Sequence, residues 1–398
     1  MKENYNMKIL QVHNTYTKKG GEDTTVEIEK NLLISKGEQV EQLFFSNEGL
    51  TGLAKISLLY KSIYNQSSAK ILRNRIQVFQ PDVIHIHNLF YLASPAILYE
   101  AQKHQIPVVL TIHNFRLICS GALLLRDGKV CELCTQKKFP LAGIQHKCFQ
   151  NSTVKTAQLT LVTGLHKILG TWQDKVDAYI TLSKFIKNKL VHSSLQLPPE
   201  KIFIKPNFAS DRNWRTGGER QNFFLFVGRL SQEKGIQVLL EAAQYHHFHL
   251  EIIGTGDLKD LVQEYAQNNA HITYHGFQGQ DFIIDKMKQC KALLFPSVCY
   301  EGMPLTLLEA FSTGTPVIIS DIDNLNEMVS NHYDGLHFKT GDSKDLAEKI
   351  RYFEQNATPI FYENARKTYE NHYSSEKNYQ NLMNIYQKVI NQKKPSGL

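Results

Sequence analysis

No apolar run in this 398-residue chain approaches the roughly 20 residues that a membrane-spanning helix requires, so no spanning segment is expected. The opening residues, MKENYNMKIL, pass directly into a strand-like segment without the basic, apolar and small-residue succession of a secretory leader. A cytoplasmic location is expected, and the six cysteines are too few for the disulfide framework of a secreted chain of this size. Short-period repeats and low-complexity tracts are also missing, which excludes a solenoid. No recognised nucleic-acid motif occurs, and the positive charge is scattered along the chain, so no nucleic acid partner is expected.

What is present is the grammar of a globular α/β protein. Hydrophobic residues make up 42% of the chain against 21% charged, which places it among folded rather than disordered sequences. Its length exceeds that of one ordinary core, and two domains are expected. A formal net charge of +7 suits an anionic partner, such as a phosphorylated substrate or an anionic membrane surface. The segments MKILQVHN, QVEQLFF, DVIHIHN, PVVLTIHN, AYITLS and KIFIKPN read as strands, with helix-like segments such as EDTTVEIEKNLLISKG and SKFIKNKLV between them. FFLFVGR, HLEIIGTG, HITYHG, ALLFPS and PVIISD repeat the pattern, and the chain from about 343 reads as helical. Strands apolar on both faces suit parallel sheets covered by helices. The polar stretch SDRNWRTGGERQN, 210–222, reads as the linker between two doubly wound domains. In such sheets ligands bind outside the carboxyl ends of the strands, which directs attention to the residues found there.

In FFLFVGRLSQEKGIQVLLEAA a strand over 223–228 ends at Gly228, Arg229 and Lys234 follow, and a helix begins near Gly235. Two cations beside helix amides make a diphosphate site, although two solvated charges are the plainer alternative. EIIGTGDL puts Gly254 and Gly256 at a second strand end, but a turn explains them equally because the full dinucleotide spacing is missing. In PSVCYEGMPLTLLEAFSTGTPVIISD a strand ends near Ser297 and Pro304 suits the first helical position. Glu301 then lies in the loop and Glu309 in the second helical turn, while Gly302 and Met303 can bring backbone N–H groups to a ligand. Carboxylates accept hydrogen bonds from sugar hydroxyls, so the pair can hold two parts of one extended ligand. A helix cap plus a surface glutamate leaves the intervening Gly-x-Pro unexplained.

VGRLSQEKG followed by EGMPLTLLEAFSTGTPVI resembles the retaining glycosyltransferases of family 4, and SNHYDGLHF, 330–338, resembles that family's segment after the acidic helix. The resemblance spans essentially the whole chain. It implies the GT-B fold: two Rossmann-like doubly wound domains facing across a cleft, with 1–208 binding acceptor and 209–374 binding a nucleotide-sugar donor. A C-terminal helix, 375–394, would pack back on the first domain, and the spacing of Leu382, Ile385 and Val389 is compatible with that. By the same resemblance Arg229 and Lys234 contact the diphosphate, Glu301 faces the donor sugar with the Gly302 to Leu305 amides, and Glu309 holds the ribose hydroxyls. Gly20 and Gly21 in YTKKGGEDTTVEIE match the family's glycine loop, and His113 at the end of PVVLTIH matches its active-site histidine. Retention implies front-face attack by the acceptor, so neither glutamate is a glycosidase-type nucleophile. Cations and amides meet the diphosphate, so no metal cofactor is expected for catalysis, and Asp321 and Asp323 in SDIDN are read as a turn. A nucleotide-sugar epimerase of the same fold is the alternative, with the paired glutamates and the Arg/Lys pair favouring transfer. Two features depart from the family: Phe208 stands where many relatives have Gly, and GEDTT is an uncommon form of the loop after Gly20.

His85 and His87 share a face of DVIHIHN; two histidines without a third ligand do not make a metal site, so His87 is read as lining the cleft and His85 as packing. An insertion after His113 carries Cys119, Cys131, Cys134 and Cys148, with a C-x2-C at its centre. A structural zinc on four thiolates is one reading and reduced cysteines the other. This insertion resembles a loop of bacterial polysaccharide glycosyltransferases, which implies capsule, O-antigen or exopolysaccharide synthesis on a lipid-linked glycan. Arg116, close to His113, is a candidate contact for an acceptor phosphate. Residues 49–81 contain no acid but carry Lys55, Lys61, Lys70, Arg73 and Arg75 among apolar residues. Basic amphipathic helices of this kind suit the anionic inner face of a cell membrane, or equally a helix packed on the sheet with a solvated basic side.

Overall fold

Val83–Asn88, Val108–Ile112 and Val317–Ser320 are buried along their whole length, as strands rich in β-branched residues are when helices cover both faces of a parallel sheet. The computed structural model describes residues 6–15, 20–47, 53–214 and 220–393. Residues Tyr16 to Lys19 of the glycine loop, 48–52 and the side chains of 53–56 at the start of the basic stretch, 215–219 of the linker, and 394 lie outside the described residues.

The chain divides into two compact units. The first holds the chain up to Leu124, Glu132–Lys205 and the chain from Tyr379 onward; the second holds Leu125–Cys131 and Pro206–Asn378. In chain order the strands are β1 Lys8–Thr15, β2 Gln39–Ser46, β3 Val83–Asn88, β4 Val108–Ile112, β5 Leu125–Arg126, β6 Lys129–Val130, β7 Ala178–Thr181 and β8 Ile202–Ile204, then β9 Phe224–Val227, β10 Leu250–Ile253, β11 Ile272–Tyr274, β12 Leu293–Phe295, β13 Val317–Ser320 and β14 Gly335–Phe338. The first unit's parallel sheet has the order β2-β1-β3-β4-β7-β8, the second's β11-β10-β9-β12-β13-β14, and β5 and β6 form a small antiparallel hairpin. Each parallel sheet has a point where consecutive connections leave in opposite directions: between β1 and β3 in the first, between β9 and β12 in the second. The crevice at the carboxyl ends there is the ligand position of doubly wound folds.

Helix Ser375–Lys393 contributes Leu382, Ile385, Tyr386 and Val389 to the first unit's core, against Met7, Ile9, Val83, Val109 and Ile180. Burying one such aliphatic side chain is worth roughly 1.5–3 kcal/mol, and polar contacts add to it: Tyr379 Oη donates to Glu38 and Lys393 Nζ to Asp177, each at 2.7 Å. The second unit's core joins Phe224, Phe226, Leu250 and Ile252 of the sheet to Leu239 and Leu240 on one helix and Ile350 and Phe353 on another.

Among the elements that the expectations above do not name, two show why. Edge strand β14 opens on Gly335, where a Cβ would lie 2.2 Å from the Val317 carbonyl oxygen; glycine permits the pairing but weakens the strand signal. Helix Thr153–Ile168 is rich in Thr and Val, which disfavour helix in isolation, and it forms because Leu159, Val162 and Thr163 are buried.

Asp334, in the turn before β14, is buried; its Oδ1 accepts from the Ser330 N–H at 2.7 Å and its Oδ2 from Thr368 Oγ1 at 2.6 Å. Burial pushes its pKa up to about 6. Below about pH 4 folded and unfolded chains both hold this proton. As pH rises to 6 the unfolded chain ionises first, so the native state loses stability, and above 6 the loss is complete. Asp334→Asn is expected to gain roughly 3 kcal/mol on the parent between pH 3 and pH 8. Urea denaturation of both proteins across that range measures it; a pH-independent difference would contradict the assignment.

Candidate active site

The loop after β9 begins with Gly228 and the exposed Arg229, whose Nη1 lies 3.8 Å from Glu233 Oε1. A single 3-10 turn, Gln232–Lys234, then meets Gly235 at φ +71°, where a Cβ would stand 1.7 Å from the Pro296 carbonyl oxygen. Only glycine allows that approach, and it brings Lys234 against the loop after β12. Lys234 Nζ donates to Glu301 Oε1 at 2.6 Å and Oε2 at 2.8 Å, Ser297 Oγ donates to Oε1 at 2.7 Å, and Asn324 Nδ2 donates to the Glu301 carbonyl. Burial opposes the ammonium, but Glu301 outweighs it and holds Lys234 above its ordinary value. Lys234 and Glu301 therefore meet directly at the β9/β12 switch point, while Arg229 points to solvent.

Gly254 and Gly256 have a packing reason. Gly254 adopts φ +143°, and a Cβ there would lie 1.9 Å from the Gly228 carbonyl oxygen; a Cβ on Gly256 would lie 2.3 Å from that of Leu230. The loops after β9 and β10 are thus joined backbone to backbone, with Leu230 N–H donating to Thr255 O and Leu258 N–H to Leu230 O.

Pro304 sits one position before the expected one: it caps helix Leu305–Ser312, and Leu305 is the first helical residue. Met303 is buried, and Asn207 holds it, donating from Nδ2 to its carbonyl at 3.3 Å. Gly302, half-buried, lies between this anchor and Glu301. Glu309 occupies the second turn, where its Oε1 accepts from Gln280 Nε2 at 2.6 Å; burial pushes its pKa up, with that hydrogen bond and Arg212 opposing.

In the first unit Gly20 caps helix Gly21–Ser35 through its N–H, which donates to Asp23 Oδ2 at 2.9 Å. Among the described residues a Cβ on Gly20 or Gly21 would meet nothing within 4 Å, and Gly20 has an extended φ of −139°, so no described neighbour calls for glycine at either position. His87 at the end of β3 and His113 just past β4 are brought together, with His87 Nδ1 3.1 Å from His113 Nε2. Burial pushes the pKa of both rings down, His87 to about 3, and both are neutral at physiological pH. They line a cavity of about 30 Å³, space for one water, with Arg116. The Arg116 guanidinium lies 5.7 Å from the ring centres of both Phe90 and Phe149, which gives it an aromatic packing role beside any contact with a phosphate.

One expectation is corrected, and the geometry bears on two others. His85 and His87 do have a third metal-type donor: Glu29, with His85 Nδ1 at 3.1 Å and His87 Nε2 at 3.3 Å from Glu29 Oε1. Among the described residues this trio forms the one group of three or more such donors within 4.8 Å. His85 is accordingly part of a polar network, not simple packing. Among the described residues no three of Cys119, Cys131, Cys134 and Cys148 lie within that distance of one another. Buried Lys167 lies beside Cys134 and Cys119, its pKa pushed down to about 8 by burial with those thiols opposing. The basic stretch is partly neutralised: Arg73 Nε pairs with Glu100 at 2.7 Å and Arg75 Nη1 with Glu41 at 2.9 Å.

Sequence reasoning missed Ser297, Asn207, Asn324, Gln280, Glu29 and Lys205. Only Glu29 left a signal, an acid on the helix face that also carries Val26, Leu32 and Leu33.

Residues 50–211 match the family model described as Glycosyltransferase Family 4, and residues 210–375 match Glycosyl transferases group 1. An uncharacterized glycosyltransferase, MJ1178, of Methanocaldococcus jannaschii is 28% identical over 72% of this chain and 69% of its own length. A UDP-Gal:alpha-D-GlcNAc-diphosphoundecaprenol alpha-1,3-galactosyltransferase of Escherichia coli is 29% identical over 48% of this chain, which spans only 55% of that protein. The solved lipopolysaccharide outer core galactosyltransferase WaaB superposes over 96% of this chain and 99% of its own, with a TM-score of 0.66 at 18% identity, a likeness of fold.

Proposed function

The chain belongs to the glycosyltransferases of group 1 and family 4, enzymes of glycan assembly, and on that premise we propose that it is a retaining enzyme using a nucleotide-diphosphate sugar and a lipid-linked glycan acceptor of bacterial surface polysaccharide. The observation that carries this reading is the Lys234–Glu301–Ser297 cluster at the β9/β12 switch point. Lys234 and Arg229 bind the donor diphosphate; Lys234 stabilises the charge that develops on the leaving group, as a preorganised cation does in a dry site. Glu301 and the backbone from Gly302 to Leu305 orient the donor sugar, and Glu309 holds the ribose hydroxyls. Lys234 holds both oxygens of Glu301, which makes that carboxylate a poor nucleophile. The acceptor hydroxyl attacks on the face the diphosphate leaves, and the departing phosphate oxygen takes its proton. Gly20 and Gly21, which no described neighbour requires to be glycine, take the family's role of the glycine loop toward the donor. His113 contacts the transferring sugar as a neutral imidazole. Incubating the full chain with a panel of nucleotide sugars and lipid-diphosphate glycan acceptors tests this. A new glycosidic bond with the donor's anomeric configuration is expected; an inverted product refutes retention, and an epimerised nucleotide sugar without transfer refutes the reaction class.

The lipid-linked acceptor brings an anionic membrane surface as a partner. Helix Leu53–Lys61 and helix Thr153–Ile168 lie side by side, Gln158 Nε2 donating to Leu58 O at 3.0 Å and Ser62 Oγ at 2.9 Å. Leu59 and Tyr60 on the first, and Val154, Leu161 and Ile168 at seven-residue spacing on the second, are exposed. Residues 133–173 also contain no acid and carry the exposed Lys137, Lys138, Lys147 and Lys155. An exposed apolar stripe with a basic rim fits an anionic bilayer. Sedimentation with phosphatidylglycerol vesicles is expected, with much less on phosphatidylcholine, and Leu161→Glu should weaken it; no binding to either would count against a membrane partner.

A further inference from the structure

Glu29 lies on the helix face that also carries Val26, Leu32 and Leu33, yet it is only 1% exposed. A carboxylate so buried needs compensation. Lys205 Nζ, just past β8 and equally buried, donates to Oε2 at 2.9 Å. Oε1 accepts from Gln11 Nε2 at 3.1 Å and faces His85 Nδ1 at 3.1 Å and His87 Nε2 at 3.3 Å. Burial alone would raise this carboxyl; Lys205, His85 and His87 outweigh it and hold the group well below the usual carboxylate range. Glu29 is thus an anion and an acceptor only. A metal ion among Glu29, His85 and His87 does not suit the site. The Glu29–Lys205 pair is already neutral, and a divalent cation would add buried charge with no further anion to balance it.

We propose that Glu29 is a positioning residue that sets the tautomer of His113 through His87. A nitrogen lone pair facing a carboxylate is repelled, so His87 carries its proton on Nε2. At 3.3 Å that contact is long and leaves Nε2 without a well-aligned hydrogen bond, and the charge of Glu29 does the orienting. A neutral ring protonated at Nε2 has its lone pair at Nδ1, which lies 3.1 Å from His113 Nε2. His113 Nε2 must therefore donate, and neutral His113 keeps a lone pair at Nδ1, an acceptor for a sugar hydroxyl. His85 is held beside this relay by Tyr386 Oη, 2.7 Å from Nδ1, and Thr111 Oγ1, 2.7 Å from Nε2; its Nδ1 also faces Glu29 and carries the proton by the same argument, so Tyr386 accepts there and Thr111 donates to Nε2. The sugar contact rests on the function proposed above; the tautomer assignment does not.

Imidazole 15N–1H correlation spectra of the full chain near neutral pH test it. His113 and His87 are both expected protonated at Nε2, and a His113 protonated at Nδ1 overturns the proposal. In Glu29→Gln the new amide can donate to His87 Nε2 and reverse both rings. His113 should then move to the Nδ1–H form, with kcat lower by about ten- to a hundredfold, as when a functional histidine loses its orienting partner, and donor KM little changed. Glu29→Gln leaves Lys205 buried without its anion, so Glu29→Gln/Lys205→Met is measured beside it, with the same spectral switch expected. An unchanged His113 tautomer in either variant that folds overturns the proposal. Full turnover by His113→Ala would separately refute the sugar-contact reading, leaving the tautomer result to stand or fall on the spectra.

Discussion

Lys234→Ala is expected to lower kcat by about a hundred- to a thousandfold, the range seen when one preorganised charge-stabilising donor is removed from an active site. The reason is geometric. Gly235 at φ +71° and the close approach of the Pro296 carbonyl hold Lys234 where its ammonium meets both oxygens of Glu301. The charge is therefore in place before the leaving group develops its own. Folding should suffer much less, by under about 2 kcal/mol, because Glu301 keeps its Ser297 hydrogen bond and is partly open to water. Steady-state kinetics with thermal melts of both proteins separate the effects. An alanine variant as active as the parent would falsify the assignment of Lys234 to the donor diphosphate.

Lys205→Met is expected to have the largest effect on stability, a loss of roughly 3–5 kcal/mol, the usual cost of leaving one member of a buried ion pair unpaired. Glu29 and Lys205 are each about 2% exposed at the side chain, so water cannot replace the lost ammonium. Glu29→Gln/Lys205→Met should recover most of the loss, because neither charge is then buried alone. The pair also predicts a pH dependence. Glu29 is held below its unfolded value, so the stability it contributes is present above the ordinary carboxylate range and is lost as pH falls through the folded value. Urea denaturation at neutral pH measures the three proteins. Equal stability of Lys205→Met and the parent would remove the ion pair from the account of this fold.

The order of strands and helices, and the residues at strand ends, could be read from local pattern. DVIHIHN and PVIISD announce buried strands by composition, and all eleven strand segments named from sequence form strands. Glu301 and Glu309 could be placed in a loop and a second turn because Pro304 marks a helix start within a residue. Where two forces compete within one segment, local reading fails. Gly335 weakens β14 as a strand while making its pairing with β13 sterically possible, and the Thr- and Val-rich 153–168 becomes helical through packing that no propensity records.

Charge placement was the least accessible level. Arg73 and Arg75 look like parts of an uncompensated basic face until Glu100 and Glu41 arrive from other elements. His85 and His87 look like two histidines without a third donor until Glu29 arrives from the helix after β1. Lys205 reaches Glu29 across 176 positions of chain. Periodicity, turn chemistry and motif spacing are short-range properties, and they were enough to read the alternation of two doubly wound halves and the loops at the strand ends that carry Lys234 and Glu301. Which charges neutralise one another, and whether four cysteines meet, depends on distances between segments far apart in sequence, and those are set only when the sheets order their strands and the helices pack on them.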